Sequence, residues 1–600
     1  MRQLLFAFMF LSVVLAEAQS SDEQVLARAG NVFISEREFL ERFEMTPGLY
    51  RQRKGSLEEE KLVFLHSMIA EKMLAQEAVD RGLDQDSLYQ TAMLEATKML
   101  SRDALYHEEV QQKVRVSSLE IQEGVRRATK ELLVSFLFLD NPTDADFARS
   151  RIRSSRDFAA MQFDSSLNVL RDTATVVWGT ADTAIESAAY ALNKGQVSQV
   201  VHAGDGFYIL RVDRVKTNSF YTNMQGEVLR ERVSSTLRTR KERVRMEEFV
   251  SETLKNASGF SPPKAFAHYA RTVSEVFSAN KGTDGTTMTR ALADTILARC
   301  GASVGDTLIV AGPRVWTVRQ ATEDLLARGF TVQGDAARRT GRRLYDSFGE
   351  WVIQELLAQE ALRRGMDRLP EVQKSLSPWR DQYLASSMKR KAAAGVAVLD
   401  AEAYAYLKSV DTAWSVPVVQ IRELKTATLD QMRSAYRDLE QGASFIDVID
   451  RWSVDQESRS RQGVTPFFPI TERPPIGGIA WELNVGERYG PVRDSSGLVL
   501  FELLAKKRTD VQGDSARLAL ARKDVLAMKQ KRKLTLFLAQ VAARRTYDIY
   551  ADRLQGLKVS PVPMMTYRLV GFGGRMFAVP FVEKNIEWVD TEPPREPVVP

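Results

Sequence analysis

An eleven-residue segment near the start of the chain returns almost unchanged in its middle, and this repeat is the strongest constraint on the fold. Residues 74–84 read LAQEAVDRGLD and residues 357–367 read LAQEALRRGMD, with eight identical positions. The two copies are offset by 283 residues (357 − 74). Because solenoid repeats have periods of about 20–50 residues, this offset indicates a duplicated multidomain unit. We therefore predict two halves built to one plan.

Size and composition are those of a large globular protein. The chain has 600 residues, of which 44% are hydrophobic and 27% are charged. At roughly 150 residues per domain, this length predicts about four domains. The formal net charge is only +5, and acidic and basic residues are interleaved along the chain. Because phosphate binding needs clustered positive charge, we do not expect a nucleic-acid partner.

The first residues have the features of a secretory signal peptide. Arg2 precedes an almost wholly apolar run over residues 4–15, and residues 16–18 (AEA) fit a small-x-small cleavage site. The run is shorter than the roughly 20 residues of a membrane-spanning helix. The only cysteine is Cys300, which excludes an internal disulfide and a lipid-modified cysteine at the mature N-terminus. We expect a cleaved signal peptide at 1–18 and a periplasmic protein without a membrane anchor.

Two kinds of region alternate along the chain, which predicts an α+β multidomain protein. Helical spacing of apolar residues, as in Leu62, Leu65 and Ile69, marks two mainly helical regions. Each is followed by a domain that starts and ends on a strand-like apolar run, and then by a basic helix. The predicted helical regions are 19–130 and 301–410, the strand-containing domains are 131–216 and 411–508, and the basic helices lie in 217–260 and 509–556.

Three further segments complete the predicted domain map. Residues 261–300 begin with Ser-Pro-Pro and contain a glycine-bearing run, and such turn-forming residues predict a linker between the halves. Residues 557–590 carry apolar and aromatic side chains around three glycines, which predicts a β-hairpin. Residues 591–600 form a proline-rich tail to which we assign no structure.

The second strand-containing domain resembles the parvulin-type peptidyl-prolyl isomerase domain. Residues 442–445 (GASF) and 452–455 (WSVD) are similar to the G-x-x-F and S-x-D motifs of that family. Residues 483–492 (LNVGERYGPV) are similar to its L-x-x-G segment and following G-P-V. The first domain carries a weaker copy, in which Gly195 corresponds to Gly486 at an offset of 291 (486 − 195). The resemblance implies the parvulin fold for both domains.

The helical regions resemble the N-terminal part of SurA-type and PpiD-type periplasmic chaperones. Those proteins have a helix that ends in L-x-x-E-A-x-x-x-G, a pattern that residues 74–82 and 357–365 match. The resemblance extends from about residue 25 to residue 557. It implies a tandemly duplicated chaperone in which mainly helical regions alternate with two parvulin-like domains. Its clients would be unfolded exported or outer-membrane proteins, and its oligomeric state stays open.

Parvulin isomerases place one histidine in the first strand of the domain and another in the last. The corresponding positions hold Phe136 and Tyr208 in the first domain, and Glu423 and Val499 in the second. Isomerisation must lower a barrier of about 18–20 kcal/mol, by binding the twisted amide more tightly than the planar one. Without the histidines, we expect both domains to be non-catalytic. We interpret Glu423 as a solvated or salt-bridged carboxylate at a strand edge.

Five aromatic residues are candidates for binding a peptide. Phe136, Trp178, Tyr208, Phe467 and Phe468 lie in or near the predicted strands. Aromatic grooves are a recurring way to bind extended peptides, and core packing is the alternative for each ring. For Phe136, which lies in a buried strand run, core packing is favoured.

Other chemistry has little support in the sequence. His66, His107, His202 and His268 have no metal-ligand spacing to one another or to Cys300, so we expect neither a metal nor a cofactor. Two functions other than that of a chaperone are also compatible with the sequence. One is an active isomerase that works without the histidine pair, and the other is a structural subunit of an envelope or secretion assembly.

Overall fold

The computed structural model describes residues 24–45, 56–161, 169–255, 257–280, 286–334, 336–409, 415–494, 497–510, 514–560 and 567–599. The predicted signal peptide lies outside these ranges. The chain divides into two compact units, one formed by residues 105–255 and the other by the described residues on either side of that range. Within the described ranges, no helix is both long enough and apolar enough to cross a membrane.

The first half runs from a helical region through a strand-containing domain to a long basic helix. The helical region contains β1 (Val25–Ala29), β2 (Val32–Ser35), α1 (Glu36–Met45), α2 (Leu57–Asp80), α3 (Ser87–Tyr106) and α4 (Ser118–Ala128). The next domain contains β3 (Lys130–Leu139), α5 (Pro142–Arg151), α6 (Ser155–Ala160), β4 (Leu170–Val177), α7 (Thr183–Tyr190), β5 (Val201–Ala203) and β6 (Gly206–Thr217). It is followed by α8 (Ser219–Thr222) and the long α9 (Gly226–Leu254).

The second half repeats this order. Its helical region contains β7 (Gly259–Phe260), α10 (Pro263–Ala279), β8 (Thr286–Thr287), α11 (Arg290–Cys300), β9 (Thr307–Ala311), β10 (Arg314–Thr317), α12 (Val318–Ala327), β11 (Thr331–Val332), α13 (Ala336–Arg363), α14 (Pro370–Ala393) and α15 (Asp400–Ser409). The next domain contains β12 (Ser415–Thr426), α16 (Leu429–Glu440), α17 (Phe445–Trp452), α18 (Gln456–Ser460), β13 (Phe468–Pro469), α19 (Ile476–Glu482), β14 (Arg488–Asp494) and β15 (Gly497–Asp510). The chain continues with α20 (Asp514–Arg545), β16 (Tyr547–Ile549), α21 (Ala551–Gly556), β17 (Tyr567–Leu569) and β18 (Arg575–Phe577).

A four-stranded antiparallel sheet forms the centre of each strand-containing domain. The strand order is β4-β3-β6-β5 in the first domain and β13-β12-β15-β14 in the second. In both sheets the first and last strands of the domain lie side by side in the middle, where their alternate residues face two separate apolar clusters. The predicted α+β architecture, in which helical regions alternate with these domains, is confirmed.

Each helical region also contains a three-stranded sheet built on a hairpin. The strand order is β16-β1-β2 in the first region and β10-β9-β7 in the second. In each hairpin, the backbone N–H of the turn glycine donates a hydrogen bond to the residue that directly precedes the third strand. Gly30 donates to the Thr546 carbonyl and Gly312 donates to the Ser258 carbonyl, both at 3.0 Å. The second sheet takes its third strand, β7, from the segment that precedes α10 and α11 in the same half of the chain. The first sheet takes β16 from the far end of the chain, so this sheet joins the two ends.

The repeated glutamine has the same role in both copies. Gln76 donates to the last carbonyl of β1 at 2.9 Å, and Gln359 donates to the last carbonyl of β9 at 3.1 Å. A Cβ on Gly30 would lie 2.6 Å from the side-chain oxygen of Gln76, and one on Gly312 would lie 2.7 Å from that of Gln359. Both glycines have a positive φ, which a side chain would disfavour. The repeat thus encodes a helix whose glutamine closes a tight hairpin.

The core of the first helical region is shared between the two halves of the chain. It contains buried side chains of α2, α14 and α20, among them Phe64, Met68, Leu384, Met388, Phe537 and Val541. The core of the second helical region is drawn from α10 to α13 and includes Tyr269, Phe277, Ile296, Leu344 and Trp351. The first region therefore depends on residues more than 300 positions away in sequence.

Two segments differ from the prediction. Residues 261–300 form α10, β8 and α11, whose Tyr269 and Ile296 are fully buried, so this segment is part of a core and not a linker. Pro263 occupies the first turn of α10, where a proline is compatible with a helix; the Ser-Pro-Pro sequence marks a helix start. In its described part, residues 591–599, the proline-rich tail has no helix or strand, but Val599 is buried in the first core.

Candidate functional site

The first strand-containing domain presents three aromatic rings on one face of its sheet. Phe138 on β3 lies directly opposite Tyr208 on β6, and Phe136 shares that face because alternate residues of a strand point the same way. The ring centroids of Phe136 and Phe138 lie 5.6 and 5.2 Å from that of Tyr208. All three side chains are half-buried. We call Phe136, Phe138 and Tyr208 the aromatic patch.

The surroundings of the aromatic patch keep its rings in place and uncharged. Phe136 and Tyr208 pack against the apolar cluster that α7 covers, and a Cβ on Gly206 would lie only 2.4 Å from the Phe138 ring. The Tyr208 hydroxyl donates to the Asp205 carboxylate at 2.8 Å. Burial and this carboxylate raise the pKa of Tyr208 to about 12. The patch is therefore neutral at physiological pH and offers contact surface, not proton transfer.

The second domain places charged residues where the first domain has rings. On β12, Glu423 lies opposite Phe501 and Lys425 lies opposite Val499. Both side chains share a face with the apolar cluster of Val499 and Phe501. Glu423 and Val499, which were predicted to face each other, therefore lie on the same face of the sheet but are not directly opposite, since Val499 pairs with Lys425.

Glu423 is the centre of a network of ion pairs. Its carboxylate accepts a hydrogen bond from Arg473 at 2.7 Å and lies 3.0 Å from the Lys425 ammonium. Lys425 also donates to Asp455 at 2.8 Å. Glu423 is only 3% exposed, and β12 lies inside the sheet. The interpretation of Glu423 as salt-bridged is thus correct, whereas its placement at a solvated strand edge is wrong. We call Glu423, Lys425, Asp455 and Arg473 the charged cluster.

Mutual pairing determines the charge state of the charged cluster. Burial acts to lower the pKa of Lys425, but Asp455 and Glu423 outweigh it, so that the pKa is raised. Burial acts to raise the pKa of Asp455, but the hydrogen bond from Lys425 and those from backbone N–H groups hold it below its usual 3.8. Both groups are ionised at neutral pH. Among the described residues, no group of three or more His, Cys, Asp and Glu is placed to hold a metal ion.

The other aromatic candidates lie apart from the aromatic patch. Trp178 is 3% exposed and packs in a cluster with Val233 of α9, because β4 ends against that helix. Phe468 is 7% exposed and pairs with Val419 in the sheet. Trp178 and Phe468 are thus core residues, which corrects the peptide-binding role predicted for them and agrees with the alternative of core packing. Phe467 is 36% exposed, with the Lys507 ammonium 4.2 Å from its ring centroid.

Three residues of these sites were not identified from the sequence. Phe138 and Lys425 each lie two positions after an identified residue, Phe136 and Glu423, so the two-residue period of a strand is the signal that places them on the same face. Arg473 lies in the segment between β13 and α19, 50 positions from Glu423. No periodicity or motif connects it to the cluster.

A comparison with protein families supports the reading of the first domain. Residues 125–220 match the family model described as "PPIC-type PPIASE domain", and this range contains the whole sheet from β3 to β6. The predicted resemblance to the parvulin family is confirmed for this domain. A search of curated proteins found no match.

Several solved structures are similar to parts of the chain. They include the foldase protein PrsA from Streptococcus pneumoniae (15% identity, 42% of this chain and 97% of that chain, TM-score 0.19) and PrsA from Bacillus subtilis (13% identity, 50% and 87%, TM-score 0.14). A third belongs to the SurA-like chaperones of Campylobacter jejuni described as PEB4 and Cj1289 (17% identity, 37% and 86%, TM-score 0.16). At such low TM-scores, these similarities carry no argument about fold or function.

Proposed function

We propose that this protein is a parvulin-class chaperone that binds extended, unfolded polypeptides and does not catalyse prolyl isomerisation. The observation that carries the proposal is the aromatic patch of the first domain, in the sheet of a PPIC-type domain. The aromatic patch has rings, those of Phe136 and Tyr208, at the two positions where the parvulin family has histidines. Such a surface retains the ability to bind a chain segment and lacks the polar groups of the isomerase site.

The aromatic patch is suited to bind an apolar segment of an unfolded chain. Its rings are half-buried, so that one face of the patch is held by the domain while the rest is available. Aromatic side chains contribute large contact areas, and ring pairs at these separations add about 0.5–1.5 kcal/mol beyond that area. Recognition through ring contacts does not require a particular client sequence. This is the property that a chaperone for many clients needs.

Among the described residues of the aromatic patch and the charged cluster, each polar group that could act on the client amide already has a partner. In the aromatic patch, the single polar atom is the Tyr208 hydroxyl, which donates to Asp205. In the charged cluster, both Glu423 oxygens are held by cations, one by Lys425 and the other by Arg473. Using Glu423 in catalysis would require breaking a buried ion pair, which costs several kcal/mol. We therefore propose that both domains are inactive as isomerases.

The proposed place of action is the periplasm, with unfolded outer-membrane or secreted proteins as clients. The basis is the apolar run and cleavage-site pattern of residues 1–18. Such clients travel unfolded, with long alternating apolar segments, and need a partner that recognises apolar side chains without demanding one sequence. The aromatic patch meets that need.

Suppression of aggregation tests the chaperone function. A denatured outer-membrane β-barrel protein is diluted into buffer with the mature protein at near-stoichiometric ratios, and light scattering is followed. We expect a clear delay in scattering. The matched control is Phe147→Ala, which truncates an exposed ring on α5 of the same domain and should leave the delay unchanged. No delay with the wild-type protein in clear excess would contradict the proposal and favour a structural subunit.

A proline-limited refolding assay tests the absence of catalysis. Uncatalysed isomerisation takes about 10–100 s at 25 °C, so that even weak acceleration is measurable. We expect micromolar protein to leave the slow refolding phase unaccelerated. Acceleration that disappears with Glu423→Ala would overturn the non-catalytic proposal and make Glu423 the working residue. Acceleration that survives this change would point to the aromatic patch.

A further inference from the structure

The C-terminal segment, residues 570–599, begins in the turn between β17 and β18, includes β18, and then lies along the first helical region. After β18 it forms no helix or strand up to residue 599. It is nevertheless well enclosed, since Val582, Trp588 and Val599 are buried in the core of that region. A chain without its own secondary structure has to satisfy its backbone polar groups elsewhere. Side chains of the helical region do this here.

Arginine and serine side chains of the first half bind the backbone of the C-terminal segment. Arg42 donates to the carbonyl of Pro580 at 3.1 Å, and Arg81 donates to that of Val599 at 3.2 Å. The backbone N–H of Asn585 donates to the Ser67 hydroxyl at 3.2 Å. These bonds involve only groups that every polypeptide has.

Two further side chains extend this backbone recognition at both ends of the segment. Arg102 donates to the carbonyls of Gly571 and Gly573 at 3.3 and 2.8 Å. Gln540 on α20 donates to the carbonyls of Pro594 and Glu596 at 3.2 and 2.8 Å and accepts from the N–H of Val598 at 3.2 Å. We call the surface formed by Arg42, Ser67, Arg81, Arg102 and Gln540 the backbone-binding groove.

Arg42 of this groove is held by a partner that belongs to the first helical region itself and not to the C-terminal segment. Arg42 is only 1% exposed, and Glu71 on α2 holds its guanidinium through two hydrogen bonds of 2.5 and 3.1 Å. Burying a charged group without partners is costly, so that this pair keeps Arg42 oriented toward the extended chain. A site that is organised in advance loses less entropy when a chain binds.

The groove also accepts particular side chains of an extended segment. Trp588 packs edge-to-face against His66 and Tyr547, with ring centroids 6.1 and 5.1 Å away. Along the rim, Lys389 pairs with Glu583 at 2.7 Å and Lys531 pairs with Glu587 at 2.6 Å. The fitting occupant is therefore an extended segment with spaced apolar side chains and acidic residues between them.

One end of the groove opens into an uncovered cleft. Arg102 and Gly574 both line this cleft, which has a volume of about 1370 Å³ and extends along Trp351 and Arg328. An incoming chain can reach Arg102 from the cleft before the rest of the C-terminal segment has left. Stepwise replacement, one backbone contact at a time, leaves few buried polar groups unpaired at any moment.

We propose that the backbone-binding groove is a client-binding site, and that the C-terminal segment occupies it as an internal substitute for the client. An extended polypeptide with apolar and acidic residues displaces the segment and takes over its backbone hydrogen bonds. This inference rests on the proposed chaperone function, to which it adds a second binding surface and its occupant. The aromatic patch belongs to the other compact unit and is not needed for it.

A reversible lock on the full-length chain tests displacement. The Ser67→Cys/Asn585→Cys variant puts cysteines at two residues that contact each other, since the Asn585 backbone N–H lies 3.2 Å from the Ser67 hydroxyl, and a disulfide between them holds the C-terminal segment in the groove. The control, Arg28→Cys/Asp548→Cys, joins paired residues of β1 and β16 and leaves the segment free. Client affinity is measured for both proteins, oxidised and reduced. Cys300 is buried and is left in place.

We expect the oxidised lock to bind client about tenfold more weakly than the same protein after reduction, and the control to show no such difference. Equal affinity of the oxidised and reduced lock would overturn the inference. If the wild-type protein binds no client, the proposed function fails instead, so that the two failures are distinguishable.

Hydrogen exchange of the unmodified chain gives a second measurement. Addition of client should accelerate exchange of the backbone amides in residues 578–599, and unchanged protection of these amides would also overturn the inference.

Discussion

The two parvulin-like domains share one sheet topology but place different chemistry at equivalent positions. In both, the first and last strands of the domain are central neighbours. The first domain has the aromatic patch on these strands, and the second has Glu423 and Lys425 opposite Phe501 and Val499. The rings need only an apolar neighbour, which the domain or a client can supply. Glu423 needs its cationic partners, because burial removes its carboxylate from water.

This difference separates a surface that can exchange partners from one that cannot. A client that contacts half-buried rings leaves no polar group unpaired. Opening the charged cluster would leave a buried charge without its partner, which is far more costly than losing an apolar contact. The two domains therefore differ at the positions where the parvulin family has histidines. The first domain has half-buried rings there, which we propose bind a client, and the second has a buried carboxylate that is paired with cations.

The largest expected effect tests whether the charged cluster is structural. Glu423→Gln leaves Lys425 and Arg473 without the carboxylate that pairs with both, and removing one partner of a buried ion pair costs about 3–5 kcal/mol. We expect a loss of this size in the unfolding free energy from urea denaturation. The control is Glu457→Gln, which removes an exposed partner of Arg461 and should change stability by less than about 0.5 kcal/mol. Equal effects would mean that the cluster can open.

The next effect tests whether the aromatic patch binds client. Phe136→Ala/Tyr208→Ala removes both rings at the former histidine positions, and we expect client affinity to fall about tenfold. Phe467→Ala is the matched control, because it truncates an accessible ring in the second domain. Fluorescence titration with a labelled client gives both affinities, and circular dichroism verifies that the variants are folded. If Phe467→Ala weakens binding as much, the contrast between the domains is wrong.

A smaller effect is the pH dependence of folding stability, which should differ between the two domains. Asp455 has a pKa below its usual 3.8 in the folded state, so that its stabilising contribution is complete above about pH 4 and is lost as the pH falls further. The aromatic patch behaves in the opposite way. Tyr208 has a raised pKa of about 12 against its usual 10.0, so that its contribution is lost only as the pH rises above 10.

The variant Asp455→Asn tests whether the stabilisation by Asp455 depends on pH. Urea unfolding at pH 7 and pH 3 should show a difference in unfolding free energy between wild type and variant that is smaller at pH 3, because protonation removes the charge of Asp455. A gap that stays constant between the two pH values would show that Asp455 does not depend on its charge. Client binding through the aromatic patch should not titrate between pH 5 and pH 9.

The smallest effect concerns the Tyr208 hydroxyl. Tyr208→Phe keeps the ring and removes the hydrogen bond to Asp205, which costs about 0.5–1.5 kcal/mol of stability. Because we assign recognition to the ring, client affinity should change by less than about twofold. Isothermal titration with a model peptide resolves this difference. A large loss of affinity would make the hydroxyl a recognition group and the patch more selective than proposed.

Much of the fold could be predicted because it depends on local spacing. The repeat predicted that helices stop at Gly82 and Gly365, and both glycines have the left-handed conformation that ends such helices. The alternation of helical and strand-containing regions also follows the periodicity of the apolar residues. The segment 261–300 was misjudged because a proline is compatible with the first turn of a helix as well as with a turn. Sequence alone does not separate these two uses.

The candidate site was predictable in part for the same reason. Phe136 and Tyr208 were placed together by the family's strand positions, and their rings do meet. Trp178 and Phe468 were misjudged because an aromatic residue at a strand end can face solvent or a neighbouring helix, and only packing decides which. Arg473 had no signal, since its contact with Glu423 joins a loop to a strand 50 positions away.

By itself, the sequence determined the duplication, the order of the regions and the loss of histidine from four positions, because these are properties of residue identity and spacing. Only the tertiary structure decided that Glu423 is buried and paired, that β16 completes the sheet of β1, and that the C-terminal segment lies in a groove of the first helical region. Those outcomes depend on which distant surfaces exclude water together. These contacts join residues that lie from 50 to more than 500 positions apart, as in Arg473 with Glu423 and Arg42 with Pro580, and no local pattern specifies such partners.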